Sequence, residues 1–215
     1  MKKLLAVLLS VFFLTTTSAM AEIGVGITAS FASIDSDGKE VELTGDTETT
    51  TGSIEEDVEV VEFFAEIIGE NGLTIGASYV PTRSLGSKTR TDVDGDDAAE
   101  NDNGDYVAKA ELDNVYMIYT DIPVGPVYVK LGFQHATINT LESLNSGSTY
   151  ADQDVNGWTY GLGYKNDTGF MNTYYKAEIS MTDFADYKKT NNNNTHKVEA
   201  NTDIVALKLS LGAKF

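Results

Sequence analysis

The feature that most constrains this chain is its hydrophobic period. From Ile23 to the end, nearly every apolar segment alternates residue by residue, and none repeats convincingly at helical spacing. Successive side chains of a strand point to opposite faces, so the pattern predicts an all-β protein. The first strand, about Ile23 to Ile34, sets Ile23, Val25, Ile27, Ala29 and Phe31 against Gly24, Gly26, Thr28, Ser30 and Ala32. Val61, Phe63, Ala65 and Ile67 oppose Glu62, Phe64 and Glu66 in the second, and Leu73, Ile75, Ala77 and Tyr79 oppose Thr74, Gly76 and Ser78 in the third. The fourth, about Tyr106 to Thr120, has no clean facing, because Glu111 and Asp113 share a parity with Val115, Met117 and Tyr119. Four more follow: Val127 to Phe133 against Tyr128, Lys130, Gly132 and Gln134; Trp158 to Tyr164 against glycines and Thr159; Tyr175 to Met181 against Tyr174, Lys176, Glu178 and Ser180; and Val205 to Ala213 against Ala206, Lys208, Ser210 and Gly212.

The connections between these eight segments alternate in length. Short turns are expected at Gly69 to Gly72, Asp121 to Pro126 and Asn166 to Gly169. Long polar connections are expected at about Asp35 to Asp57, Pro81 to Asp105, Asn139 to Asn156 and Asp183 to Asp203. Short turns at one end and long loops at the other, on an even number of strands, are the pattern of a transmembrane β-barrel.

A soluble sandwich or lipocalin-like barrel would also give about eight alternating strands, and the content of the two faces separates the readings. A soluble barrel points its large apolar side chains inward and its charges outward. Here the smaller face collects Gly, Ser and Thr together with Glu62, Glu66, Lys130, Lys176, Glu178 and Lys208. Opposite charges among small residues fit a narrow polar interior where acid and base neutralise one another. The expected fold is therefore an eight-stranded antiparallel up-and-down transmembrane β-barrel.

Its N-terminus supplies the route to a membrane. Lys2 and Lys3 precede an apolar run from Leu4 to Leu14, and Ala19-Met20-Ala21 has the small-x-small form of a cleavage site. The run is shorter than the roughly 18 to 20 residues of a spanning helix. Residues 1–21 are thus expected to be a signal peptide cleaved after Ala21, and 22–215 the barrel, placing the protein in the bacterial outer membrane after export through the inner one. Loss of the two lysines takes the net charge from −18 to −20, which argues against nucleic acid as a partner. Cysteine is absent, so disulfides contribute nothing and stability must come from pairing and packing.

The final strand, Leu207-Lys208-Leu209-Ser210-Leu211-Gly212-Ala213-Lys214-Phe215, resembles the β-signal that the barrel-assembly machinery recognises, with Phe215 as its terminal aromatic. The segment Tyr119 to Phe133, Y-T-D-I-P-V-G-P-V-Y-V-K-L-G-F, is similar to a strand, turn and strand of the opacity-protein and outer-membrane-protein-A-like barrels. The resemblance covers the mature chain in architecture and only those two segments in sequence. It implies a barrel without the peptidoglycan-binding domain that tethers some relatives.

An eight-stranded barrel is just wide enough to be filled by side chains, so the inward charges are read as a salt-bridged plug. No cofactor is expected. Function then falls to the loops, to surrounding outer-membrane lipid and to a loop partner the sequence does not name. Loop Thr91 to Asp105 carries Asp92, Asp94 and Asp96, but counting from Asp92 an EF-hand's Gly and Glu positions hold Asp97 and Asn103. The motif fails, and weak divalent-cation binding is the most this acidic loop offers. Asn191 to Asn194 reads as a flexible loop tip. His135 and Thr137, two apart on one face, could form a base and nucleophile pair, yet no acidic orienter is identifiable and His196 stands without visible partners. The reading is a non-enzymatic surface barrel. Its alternatives are a narrow porin or hydrophobic small-molecule conduit and, below those, a lipid-modifying enzyme.

Overall fold

The computed structural model describes residues 21–43, 49–92, 104–141 and 149–215. The expected signal peptide, apart from Ala21, lies outside the described residues, as do Asp94, Asp96, Asp97 and Asn103 of the acidic loop. Among the described residues there are ten strands: β1 (Glu22–Glu42), β2 (Thr49–Ile68), β3 (Thr74–Val80), β4 (Arg83–Asp92), β5 (Gly104–Val124), β6 (Val127–Thr140), β7 (Gln153–Asp167), β8 (Thr173–Phe184), β9 (Tyr187–Thr190) and β10 (His196–Lys214). β3 and β4 both pair with β5 and are two lengths of one stave, interrupted at Pro81 and Thr82. In the same way β9 continues β8 along β10. Eight staves therefore run antiparallel, and β1 closes the barrel on β10 from Gly24↔Lys214 to Glu42↔His196. The predicted fold class stands. Ile23 and Phe215 complete the seam at the short-turn end by exchanging backbone hydrogen bonds of 3.1 and 2.9 Å.

The two faces have the predicted contents. Large apolar side chains point outward, Phe31 and Ile75 being 52% and 57% exposed, while Glu66 and Lys176 point inward at 1% and 3%. A soluble surface rarely shows an apolar patch beyond a few hundred Å². A continuous apolar band around a closed barrel is at equilibrium only in lipid, where strand pairing replaces the hydrogen bonds that water would make. Among the described residues no helix is long and apolar enough to cross a membrane, so the crossing belongs to the strands.

Three local expectations change. The long connections are in large part strand: β1 and β5 have 21 residues each, about twice the 9 to 11 that span a bilayer. Polar cross-strand pairs hold these extensions, including Ser36 Oγ to Thr202 Oγ1 at 3.0 Å and Lys39 to Glu199 at 2.9 Å. Two turns also shift. β5 runs on to Val124, leaving Gly125 (φ 64°) and Pro126 to reverse the chain, and β7 runs to Asp167, ahead of a turn with Gly169, Met171 and Asn172 all at positive φ.

The facing of β5, left open by the sequence, is decided by a β-bulge. Asp113 pairs with Thr137 but Tyr116 pairs with His135, so β5 spends one more residue than β6 over that interval. Asn114 adopts the left-handed conformation there, with φ 50°. The extra residue flips the parity. Leu112 packs with Val115 inside the barrel, and Met117, Tyr119 and Asp121 follow on the inner face. Glu111 and Asp113 are thereby freed from the lumen.

Candidate functional site: the barrel lumen

Near the short-turn end the interior is closed by charge. All six residues expected there point inward, and the structure brings them into pairs. Glu178 accepts from Lys130 at 2.7 Å and from the Tyr128 hydroxyl at 2.8 Å. Glu66 accepts from Lys176, Tyr119 and Tyr174, each at 2.8 Å. Glu62 meets Lys208 at 3.0 Å, one level further along the barrel. Two charges complete the set. Asp121 lies 3.4 Å from Lys176 and 3.7 Å from Lys130, and Lys165 lies 3.7 Å from Glu66 while donating to Thr74 Oγ1 at 2.9 Å.

Four carboxylates thus face four ammonium groups, Lys165 and Lys208 being partly buried and the rest buried, and the formal charges of this network sum to zero. Desolvating so many ions is costly, and it is offset only where each charge finds an opposite charge and further hydrogen bonds. The three tyrosine hydroxyls serve that need. Asp121 Oδ1 and Glu178 Oε1 are the buried carboxylate oxygens, among the described residues, that accept no hydrogen bond. The Lys130 ammonium, between those two side chains and 4.1 Å from the Tyr119 ring centroid, is what compensates them.

Sequence reasoning missed Asp121 and Lys165 because both were placed in or beside turns. Their parity was a usable signal: Asp121 follows Tyr119 by two, and Lys165 follows Gly163 by two. Tyr128 and Tyr174 are visible in the sequence on the small-residue face, Tyr119 lies on the strand whose facing the sequence leaves open, and the role of all three depends on glycine. A Cβ on Gly76 would collide with the Tyr119 ring, one on Gly163 with Tyr128, and one on Gly212 with Tyr174. Each inward tyrosine lies flat over a glycine of the neighbouring stave and reaches a carboxylate across the bore. The alternating glycines are therefore clearance for the plug.

Beyond Glu62 and Lys208 the interior changes character. Val115, Ala136, Val155 and Phe184 form a buried apolar cluster, with Val80, Leu112, Ile138 and Ile204 packed on it. Beside it is a small cavity of ≈ 80 Å³ with Ser30, Glu62 and Lys208 on its polar side. The lumen is thus not filled throughout, as the sequence reading expected. The wall beside the cavity is open as well. β2 pairs with β3 only from Phe63↔Tyr79 to Ile68↔Thr74, whereas β2 itself begins at Thr49, and β4 pairs with β5 alone. Pro81 has no N–H to give to a ladder. Thr82 donates its hydroxyl to Asp113 of β5, which holds the joint between β3 and β4 on the β5 side. From the level of Phe63 and Tyr79 outward, a seam separates β2 from β4.

On the outer wall, His135 stacks on Tyr116 with ring centroids 4.8 Å apart. The structure supplies the acidic neighbour that sequence reasoning lacked, Asp154, 3.9 Å from His135 Nε2. The arrangement still does not activate Thr137, because that hydroxyl donates to Asp154 at 2.9 Å rather than to the imidazole. Asn156 Oδ1 takes up His135 Nδ1 at 2.8 Å. Cross-strand pairing accounts for all four residues, since His135↔Asn156 and Thr137↔Asp154 are direct neighbours. Asn191 is likewise no free tip, for its side chain accepts from the Thr195 and His196 backbone at 2.8 and 3.2 Å. Among the described residues no cluster of His, Cys, Asp and Glu could hold a metal ion.

No protein-family model and no curated protein matches the chain. Solved structures do. The outer membrane protein OprG from Pseudomonas aeruginosa aligns with a TM-score of 0.54 at 12% identity, covering 92% of this chain and 97% of that one. The outer membrane protease OmpT from Escherichia coli aligns at 0.49 and 11%, covering 94% and 99%. Neisserial surface protein A aligns at 0.39 and 15%, covering 90% and 97%. At such identity the OprG likeness establishes the fold and nothing finer: the chain has the architecture of an outer-membrane β-barrel.

Proposed function

We propose that this protein is a non-enzymatic surface barrel of the bacterial outer membrane, of the opacity-protein and outer-membrane-protein-A-like type. Its lumen is sealed to aqueous solutes, and its long hairpins stand outside the cell. The carrying observation is the neutral network of Glu62, Glu66, Asp121, Glu178, Lys130, Lys165, Lys176 and Lys208 across the bore. Ions would have to displace charges already satisfied by one another. Refolded protein in planar bilayers should show no steady ion channels, and steady channels would overturn the seal. On intact cells, added protease should cut near Arg90 or Lys188 and spare the turn at Glu70; cutting at the turn alone would reverse the orientation. Deleting Phe215 should leave the chain signal-cleaved but poorly inserted, as expected if the barrel-assembly machinery reads that residue. Contacts with outer-membrane lipid follow from the apolar band, while the acidic hairpins offer at most weak divalent-cation binding.

A second reading, a conduit for small hydrophobic molecules, is favoured by one specific observation. The apolar cavity meets a seam in the wall between β2 and β4, where Val58 and Val60 of β2 and Val80 of β3 line it from both sides. Transfer of an apolar dye into liposomes bearing the protein tests that reading directly.

A further inference from the structure

The upper cavity has three parts with different chemistry. Its wall is aliphatic, formed by Ile34, Val58, Val80, Leu112, Val115 and Ile204. On its polar side the Ser30 hydroxyl is buried, 4% exposed, and has no hydrogen-bond partner. A buried hydroxyl left unpaired costs free energy that a bound polar group would recover. The third part is Arg83, the first residue of β4, which also lines the cavity. It makes no ion pair among the described residues, although the lumen's other cations all do. At ≈ 80 Å³ the space is too small for a fused-ring system and takes one thin chain at most.

We propose that this cavity binds a single-chain anionic amphiphile, a medium-chain carboxylate. Its alkyl chain lies among the aliphatic side chains and its carboxylate rests on the Arg83 guanidinium. The β2–β4 seam admits the molecule sideways, since a chain already dissolved in the membrane's outer leaflet reaches the cavity there without crossing water. The guanidinium suits this head because its planar donors match a carboxylate bidentately. The sideways entry, and not the site itself, rests on reading the upper lumen as the vestibule of a conduit.

The test uses the full barrel refolded into lipid vesicles, with protein-free vesicles correcting for partition of the probe into lipid. Decanoate, decanol and decylamine are compared by equilibrium dialysis. Decanoate should bind saturably and at least about tenfold more tightly than either analogue, the worth of one charge-assisted contact. Arg83→Gln should remove that preference and leave decanol binding unchanged. Because the chain has no cysteine, Val80→Cys offers a unique thiol in the wall, and decanoate should slow its reaction with a maleimide. Absence of saturable decanoate binding by a barrel that remains heat-modifiable overturns the site. Equal or tighter binding of decylamine overturns the role of Arg83, as does an Arg83→Gln variant that keeps the preference. Saturable binding without transfer into the vesicles leaves the site standing and removes the conduit.

Discussion

Replacing Lys130 with Met tests the plug at its most demanding point. Lys130 and its partner Glu178 are 5% and 3% exposed in their side chains, so solvent screens neither. Removing the ammonium leaves Glu178 with the Tyr128 hydroxyl as its hydrogen-bond donor, and Asp121 with Lys176 at 3.4 Å. Breaking a buried pair on one side typically costs about 3 to 5 kcal/mol, because the remaining charge has lost its compensation. With a urea dependence of about 2 kcal/mol per molar, the unfolding midpoint should fall by about 1.5 to 2.5 M. Trp158, the single tryptophan, is half exposed on the lipid-facing wall and reports insertion and unfolding by fluorescence in vesicles. Adding Glu178→Gln to Lys130→Met should restore much of the loss. Adding Glu62→Gln should restore none, because Glu62 is paired with Lys208. A Lys130→Met barrel that unfolds like the parent would show these charges to be solvated and would refute the plug. Equal rescue by both acids would refute the pairing.

Other expectations follow from the same geometry. Gly76→Ala should lower the urea midpoint by an amount equivalent to about 1 to 3 kcal/mol, because the new methyl group must displace the Tyr119 ring; adding Tyr119→Phe should recover little, since the ring remains. Asn114→Val should destabilise the bulge by about 1 to 3 kcal/mol and Asn114→Gly should not, as read by the same unfolding curves, because a β-branched residue resists φ 50°. At the long-hairpin end, hydrogen bonds from Lys197 and Lys39 hold the Glu199 carboxyl at about 2. Its folded value is depressed, so whatever it contributes is fully present above the ordinary carboxyl value of about 4.5 and is lost as pH falls towards 2. Carboxyl-carbon NMR should show that low midpoint, and Lys39→Ala should raise it.

Much of this was legible in the order of residues, because period-two alternation and turn chemistry are local. Which side of each strand meets lipid depends only on the pleat, so the outward set from Ile27 to Leu211 and the inward set from Glu62 to Lys208 could be read without knowing the fold. Signals that depend on one residue's backbone were less accessible. Asn114 in β5 is an ordinary letter in the sequence, yet its positive φ inserts a bulge and decides that Leu112, not Glu111, faces inward. Polar, Thr-rich stretches such as Thr49 to Thr51 looked like loop and are strand, because their partners in β1 pair with them beyond the membrane.

What only the tertiary structure decided is everything that depends on closure. A strand's own sequence does not say how far it is staggered against its neighbours, and a stagger of two residues changes which lysine meets which acid. That stagger brings Lys130 to Glu178 rather than to Glu62, gathers Asp121 and Lys165 into the network, and lays three tyrosines over three glycines. It also leaves the β4-facing edge of β2 unpaired beyond Phe63, while β2 keeps its pairing with β1 and β4 stays with β5, opening the wall beside the cavity. Alternation assigned each side chain to a face. The register around the ring assigned it a partner, because partners across a barrel are set by all eight staves at once.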